Sequence, residues 1–159
     1  RCGVMFFGDL VRAFSRLRKG LQPGGRLLLA VWCSPEANEW YQFPMQCVEA
    51  FSETRDSPDY DAPGAFTLAK EARVRDLLDT AGFTDIKLAS HHPTLLVGST
   101  VDEAAELFMA MNSIRTLLHG AEDALQERVL QHMQEGLKSY QQDAGVYMKS
   151  ACWLISAKP

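Results

Sequence analysis

The feature that most constrains the fold of this 159-residue chain is an amphipathic segment that leads, through a short turn, into an uninterrupted apolar one. Asp9 is suited to cap a helix, because its carboxylate can accept hydrogen bonds from the free backbone N–H groups of the first turn. Apolar residues then recur every three or four positions, as on the buried face of a helix: Leu10, Phe14, Leu17 and Leu21. The sequence therefore predicts a helix that begins at Leu10 and ends near Gly20.

A glycine- and proline-containing turn follows this helix. Gly20 suits a helix end, and Pro23-Gly24-Gly25 suits a tight connection. The segment from Leu27 to Trp32 is apolar throughout, which is typical of a strand buried on both faces, as in a parallel sheet with helices above and below. Helix, short turn and buried strand together predict part of a doubly wound α/β fold.

Composition restricts the class of protein further. The formal net charge of −4 argues against a general nucleic-acid binder, which needs a basic face. No apolar run is long enough for a membrane span and no secretory signal is visible, so we expect a cytoplasmic protein. The cysteines are widely spaced and are expected to be reduced, mostly buried thiols: Cys2, Cys33, Cys47 and Cys152.

The rest of the chain alternates predicted helices and strands around one loop. The loop is rich in Asp, Pro and Gly and runs from Ser52 to Phe66. Helices are predicted for Glu36 to Phe51, Thr67 to Ala81 with Thr67 as its cap, Val101 to Met111, and Ala121 to Tyr140. Strands are predicted for Phe83 to Val97, with a polar break around Ser90-His91-His92-Pro93, and, as the closing strand, for Val146 to Ala157. No internal repeat or linker is visible, which predicts a single domain over residues 1–159.

Four short motifs follow one another along the chain. They are residues 1–7, then Leu21-Gln22-Pro23-Gly24-Gly25, then Trp32 with Asn38-Glu39-Trp40, and finally Asp61 to Phe66 followed by Ala81-Gly82-Phe83. In order and spacing they resemble the second half of a class I S-adenosylmethionine (SAM)-dependent methyltransferase of the quinone-biosynthesis group. They resemble, respectively, the end of strand 4, the turn before strand 5, the substrate-side segment after strand 5, and the approach to strand 6.

The resemblance implies a fold. Members of the family have a Rossmann-like sheet in the order 3-2-1-4-5-7-6, with the last strand antiparallel. In this chain it implies the end of strand 4 and strands 5, 6 and 7, with Leu27 to Trp32 beside a closing strand around Trp153. The glycine-rich loop after strand 1 and the ribose-binding acid after strand 2 would belong to an absent N-terminal half. We therefore expect a C-terminal portion that binds SAM weakly or not at all by itself.

The same resemblance implies two groups of site residues. The residues implied to lie near the methionine part of SAM in the parent protein are Arg1, Cys2, Gly3 and Met5. The residues implied to line a pocket for a small-molecule acceptor are Trp32, Trp40, Tyr41 and Met45, since such pockets are mainly apolar and aromatic. The alternatives are a frayed chain end for the first group, and core packing or a lid helix for the second.

Neither a catalytic residue nor a set of metal ligands is predicted. His91 and His92 are the one tempting acid–base pair, but neighbours in a strand point to opposite faces and cannot share a site. They are predicted to form a surface turn, and His119 and His132 are predicted to be surface residues. The family reaction is attack of an acceptor atom on the methyl group of SAM, for which the protein mainly supplies orientation and a water-poor site.

A rival hypothesis is a non-catalytic, self-associating interaction module derived from a methyltransferase. A chain without strands 1 to 4 exposes the edge of strand 5, and an exposed apolar edge favours pairing with another chain. We therefore expect a homodimer, the commonest closed assembly. Its interface is predicted to involve Val4 to Phe7, the Leu27 to Trp32 edge, or the aromatic segment from Trp40 to Phe51.

Overall fold

The computed structural model describes residues 2–51, 60 and 62–159, which form a mixed α/β fold with two three-stranded antiparallel sheets. The helices are α1 (Leu10–Gly20), α2 (Glu39–Glu49), α3 (Glu71–Thr80), α4 (Val101–Met109), α5 (Asn112–Leu117) and α6 (Asp123–Leu137). The strands are β1 (Leu27–Trp32), β2 (Thr84–His91), β3 (Thr94–Gly98), β4 (Gln141–Gln142), β5 (Gly145–Lys149) and β6 (Cys152–Lys158). Single 3₁₀ turns occupy Val4–Phe6, Pro35–Ala37 and Lys138–Tyr140.

The chain divides into two compact units. Unit 1 comprises Arg1–Asn38, Pro58–His92 and Ala151–Pro159, and unit 2 comprises Glu39–Ser57 and Pro93–Ser150. Each unit therefore contains one of the two sheets. The prediction that residues 1–159 are the C-terminal portion of one methyltransferase domain stays a prediction.

The sheet of unit 1 has the strand order β1-β6-β2, and β6 is antiparallel to both neighbours. Ile155, in the middle of β6, pairs with Leu29 of β1 on one side and with Leu88 of β2 on the other. Because both outer strands oppose β6, they run in the same direction. The prediction that Leu27 to Trp32 is a strand beside an antiparallel closing strand is confirmed.

The start of α1 and the turn after it have the predicted local structure. The Oδ1 atom of Asp9 accepts a hydrogen bond from the backbone N–H of Arg12 at 2.9 Å, so Asp9 is the helix cap. After the helix, the N–H of Gly25 donates to the carbonyl oxygen of Gln22 at 2.9 Å. Gly24 has a φ of +78°, the left-handed conformation that the third position of a type II turn requires.

The end of α3 is a Schellman motif. Gly82 has a φ of +85°, and its N–H donates to the carbonyl oxygen of Asp79 at 2.8 Å. The N–H of Phe83 donates to the carbonyl oxygen of Leu78 at 2.9 Å, and both side chains are buried. The two bonds satisfy carbonyl groups that a helix end otherwise leaves free, and they confirm that Gly82 ends this helix.

The predicted start of α3 is wrong. The helix begins at Glu71, four residues after Thr67. Thr67 is buried, and its hydroxyl accepts a hydrogen bond from the N–H of Gly64 at 2.8 Å and donates to the carbonyl oxygen of Ala62. Thr67 therefore closes the preceding turn instead of capping the helix, a competition that is common for short polar side chains.

The core of unit 1 lies on one face of its sheet. Phe14 of α1 is fully buried and belongs to the same apolar cluster as Val31 of β1 and Ile155 of β6. On the opposite face Leu28 is 71% exposed and Leu154 is 45% exposed. The prediction of a strand buried on both faces is therefore wrong: Leu27 and Val31 of β1 are buried on the core face, whereas Leu28 is exposed on the other face, as antiparallel sheets allow.

Unit 2 contains the second sheet, in the order β3-β5-β4 with antiparallel pairing. Its core includes Phe108 of α4, Met133 of α6 and Met148 of β5, all of which are almost completely buried. Gly98, the last residue of β3, lies directly against the backbone of Ala104 in α4. A second sheet was not predicted from the sequence.

The second sheet arises because both long predicted strands are divided. Phe83 to Val97 forms β2 and β3, and Val146 to Ala157 forms β5 and β6, with the members of each pair in different sheets. The first division falls within the predicted polar break, at Pro93, which cannot donate a ladder hydrogen bond. The second falls at Ser150, whose N–H and hydroxyl both donate to the carbonyl oxygen of Pro93, at 3.0 and 2.7 Å.

Other predicted boundaries also differ; the helix predicted for Val101 to Met111, for example, ends at Met109. Residues 1–7 were expected to be the tail of a strand, but Val4–Phe6 is a 3₁₀ turn. The helix predicted from Glu36 begins at Glu39, after the separate turn Pro35–Ala37. The helix predicted from Ala121 to Tyr140 is Asp123–Leu137 followed by a 3₁₀ turn. Most of the predicted loop from Ser52 to Phe66, namely residues 52–59 and 61, lies outside the described residues.

Candidate functional site

The residues predicted to lie near SAM have structural partners in unit 1. Cys2 is half-buried, and its N–H donates to the carbonyl oxygen of Ala30 in β1 at 3.0 Å. The side chain of Met5 is fully buried in the core, and its carbonyl oxygen accepts from the N–H of Gly64 at 3.2 Å. Gly3 is exposed, and Arg1 lies outside the described residues. A role for this segment toward a cofactor stays a prediction.

The residues predicted to bind an acceptor fall in both units. Trp32 ends β1 in unit 1 and is half-buried against its core. Trp40, Tyr41 and Met45 lie on α2 of unit 2, where the structure brings them together on one helix. The rings of Trp40 and Tyr41 meet edge to face with centroids 5.9 Å apart, and Tyr41 and Met45 are buried. An acceptor pocket lined by these residues stays a prediction.

A groove of about 680 Å³ lies in unit 1 between the start of α1 and the exposed side of α3. Its volume is in the range of pockets that hold small molecules. Its apolar lining is Phe7, Leu10, Val11, Pro63 and Leu77, and its polar side chains are Asp9, Thr67, Arg73, Asp76 and Thr80. The groove begins two residues after Met5, so it adjoins the predicted cofactor segment along the chain.

The polar side chains that line this groove are of two kinds: some hydrogen-bond to the backbone, and the others lie on one face of α3. Asp9 caps α1 and Thr67 closes a backbone turn, so both serve the fold. Arg73, Asp76 and Thr80 lie three and four residues apart on α3, which places them on one face of the helix. Among the described residues that line the groove there is no thiol, imidazole or lysine. The groove can therefore bind and orient a small polar molecule.

Sequence reasoning missed the groove. Arg73, Asp76 and Thr80 have the spacing of an ordinary solvated helix face, and the residues opposite them, Phe7 to Val11, are more than sixty positions away. Periodicity identifies a polar face but not what lies against it. No signal in a single sequence pairs these two segments.

Asn38, part of the motif that resembles a substrate-side segment, is completely buried. Its amide nitrogen donates to the carbonyl oxygens of Ser34 at 2.9 Å and Cys33 at 3.4 Å, and its Oδ1 accepts from the N–H of Ala151 at 3.0 Å. Asn38 thereby joins the chain after β1 to the chain before β6. Its observed contacts are structural, because a buried backbone polar group needs a partner.

All four cysteines are unpaired, and Cys33, Cys47 and Cys152 are buried, which confirms the prediction for these thiols. Burial, and to a smaller extent the nearby Cys152, raise the pKa of Cys33 to about 11. Burial also raises the pKa of Cys47 to about 11. These thiols are therefore protonated at neutral pH and poor nucleophiles.

The predicted exposure of the histidines is confirmed, but the turn predicted for His91 and His92 is wrong at His91. His91 is the last residue of β2 and pairs with Cys152 of β6, and His92 follows the strand; both are exposed. His119 is exposed, and the exposed ring of His132 meets Phe51 edge to face with centroids 5.5 Å apart. Among the described residues, no group of three or more His, Cys, Asp or Glu side chains is arranged to hold a metal ion.

A comparison of the chain with known protein families and with curated proteins finds no match. Function therefore has to be argued from the geometry of the two units and from the sequence motifs. Within residues 2–51, 60 and 62–159, no helix is both long enough and apolar enough to cross a membrane.

Proposed function

We propose that this chain is the C-terminal part of a class I SAM-dependent methyltransferase that transfers a methyl group to a small-molecule acceptor. The observation that carries the proposal is the strand order of unit 1, in which β6, the last strand along the chain, lies between β1 and β2 and opposes both. Sequential strands are neighbours in most sheets, so this insertion is informative. The methyltransferase family inserts its strand 7 between strands 5 and 6 in the same way.

The outer edge of β1 gives further support. The N–H of Cys33 donates to the carbonyl oxygen of Ala151 at 2.9 Å, on the β6 side. Because backbone groups alternate in an antiparallel ladder, the carbonyl of Ala30 then points away from β6. That carbonyl accepts the hydrogen bond from Cys2. Cys2, which precedes the 3₁₀ turn Val4–Phe6, therefore contacts β1 along the edge that faces away from β6. In the methyltransferase family this edge is the one beside strand 4.

The proposed chemistry needs orientation more than reactive side chains. SAM supplies the methyl group when it is bound. Within unit 1, the groove beside α1 presents polar side chains, Asp76 and Thr80 among them, to a small molecule, and its apolar lining includes Phe7, Leu10 and Val11. Holding two reactants in line and away from water lowers the barrier without a dedicated base, and we assign none.

The proposal predicts little affinity for SAM in the 159-residue chain. No glycine-rich loop follows any of its described strands, and Gly24-Gly25 precedes a strand instead of following one. We expect titration calorimetry with SAM or S-adenosylhomocysteine to show no saturable binding to this chain. If the gene encodes residues before Arg1, a longer polypeptide that includes them is expected to bind one equivalent of either compound.

Two results would contradict this proposal. Single-site micromolar binding by the 159-residue chain would mean that the cofactor contacts lie within it and have been assigned wrongly. Failure of the longer polypeptide to bind either compound, while remaining folded by circular dichroism, would exclude the methyltransferase assignment. Adenosine serves as the control ligand, since it lacks the methionine part.

The second candidate function is a non-catalytic module that self-associates. The observation that favours it is the exposure of two neighbouring aromatic side chains, Phe6 at 58% and Phe7 at 39%, a few residues after Cys2, which hydrogen-bonds to the outer edge of β1. No strand pairs with that edge in the part of the chain that the structure describes. Apolar residues next to an open edge are typical of a surface that another chain covers.

This candidate predicts a homodimer that depends on Phe6 and Phe7. Light scattering at increasing protein concentration should show a dimer, and replacing both residues by serine should weaken association at least about tenfold. Leu117→Ser is the matched control, because Leu117 is similarly exposed, at 47%, but lies on α5 of unit 2. A monomer at every concentration would eliminate the self-associating module.

A further inference from the structure

The uncovered face of the unit 1 sheet, here called the open face, has a defined composition. Cross-strand partners lie on the same face of a sheet. Leu28 of β1 and Lys87 of β2 both pair with Ser156 of β6, and in the next row Ala30 and Ala89 both pair with Leu154. The open face consists of the exposed side chains of these two rows. The next row on the same side of the sheet contains Trp32, Cys152 and His91; it is not part of the open face, because Trp32 is half-buried and Cys152 is buried. Leu28 and Leu154, the two large apolar side chains of the open face, are 71% and 45% exposed.

One end of the open face is positively charged. Asp85 forms ion pairs with Arg26 at 3.3 Å, Lys87 at 3.3 Å and Lys158 at 3.2 Å. Hydrogen bonds from Lys158 and Lys87 lower the pKa of Asp85, so it is ionised at neutral pH. Three cations around one carboxylate leave an excess of positive charge at this end, in a chain whose formal net charge is −4.

The width of the open face matches a single helix. Neighbouring strands are about 4.8 Å apart, so the two outer strands of this sheet are separated by about 10 Å. An α-helix with its side chains is about 10 Å across. An apolar sheet face is normally covered by a second layer, and an exposed apolar patch with a polar rim is typical of an interaction site.

We propose that the open face is a docking surface for an acidic amphipathic helix of a partner protein. The apolar side of that helix contacts Leu28 and Leu154, and its carboxylates lie against Arg26, Lys87 and Lys158. Charge complementarity selects this occupant over a neutral or basic helix, because like charges placed across an interface are strongly unfavourable. The assignment does not depend on the proposed methyltransferase activity.

The test uses two designed peptides of eighteen residues. Both have leucines on one side of the helix, and they differ only in three consecutive first-turn residues, which are Glu in one and Lys in the other. Fluorescence anisotropy should show binding of the Glu peptide to the whole chain and at least about tenfold weaker binding of the Lys peptide. The affinity for the Glu peptide should fall as salt is raised from 0.05 to 0.5 M, since screening weakens exposed charge pairs.

Substitutions in the protein test whether the peptides bind to the open face. Leu28→Glu should abolish binding of the Glu peptide, whereas Leu107→Glu should leave it unchanged, because Leu107 is 53% exposed but lies on α4 of unit 2. Lys87→Glu should reduce binding of the Glu peptide and increase binding of the Lys peptide. Circular dichroism and thermal unfolding of each variant show that the fold is retained.

Three outcomes would overturn the proposal. The first is equal binding of both peptides or of neither. The second is binding that Leu28→Glu does not change. The third is a concentration-dependent dimer that Leu28→Glu dissociates, which would identify a second copy of this chain as the occupant of the open face.

Discussion

Replacing Phe14 by alanine is expected to lower the free energy of unfolding by about 3–5 kcal/mol, the usual cost of removing a buried aromatic ring. Phe14 has no exposed surface and belongs to the apolar cluster that contains Val31, Leu78 and Ile155. Truncation leaves a cavity between α1 and the sheet that rigid neighbours fill only in part. Urea unfolding, monitored by circular dichroism, gives the transition midpoint, and the shift of that midpoint measures the loss of unfolding free energy.

Phe6→Ala is the matched control for this experiment. Phe6 carries the same ring but is 58% exposed, so its truncation should change stability by less than about 0.5 kcal/mol. If Phe14→Ala is unfolded without urea, Phe14→Leu gives a smaller loss that can still be measured. A loss below about 1 kcal/mol for Phe14→Ala would contradict the packing of α1 on this sheet.

Replacing Gly98 by alanine is expected to destabilise unit 2 by about 3 kcal/mol, at the upper end of the cost of overpacking a core. A Cβ atom at this position would lie 2.5 Å from the backbone nitrogen of Ala104 and 2.9 Å from its Cα. These are backbone atoms of α4 and no side-chain rotation moves them away. The strand β3 and the helix α4 would have to move apart, and the fall in melting temperature measures the resulting loss of stability.

Gly20→Ala provides the comparison for Gly98→Ala. Gly20 is the last residue of α1, and a Cβ atom there would meet nothing within 4 Å. Alanine is a better helix former than glycine, so this variant should be neutral or stabilised by up to about 1 kcal/mol. Equal melting temperatures for Gly98→Ala and the unmodified chain would show that β3 and α4 are further apart than described.

Predictions from the sequence were most accurate for local structure that depends on residues close together along the chain. The Asp9 cap involves a residue three positions away, and the turn from Gln22 to Gly25 closes within four residues. The pairing of Leu27–Trp32 with an antiparallel closing strand was also predicted, but from a resemblance to a fold and not from local patterns. A strand's own residues indicate that it pairs, and tertiary contacts decide with which strand.

The features that were not predicted from the sequence all depend on residues that are far apart along the chain. The closing strand was predicted to continue through Ser150, but it is divided there into β5 and β6, and Ser150 bonds to Pro93, 57 positions away. Leu28 belongs to a continuous apolar run, yet it is exposed because no described element covers that face. The groove beside α1 escaped notice for the same reason, since Asp76 and Thr80 acquire their surroundings only when α3 packs.

The position of β6 has a consequence for how the protein is made. β6 is the middle strand of its sheet but the last strand along the chain, and Arg26 and Ser156, which share a hydrogen bond, are 130 positions apart. During synthesis β1 and β2 therefore leave the ribosome without the strand that joins them. Such long-range pairing is slow, and unpaired strands in a nascent chain are prone to aggregation and are bound by chaperones. Loss of residues 152–159 would therefore remove the central strand of this sheet and not one of its edge strands.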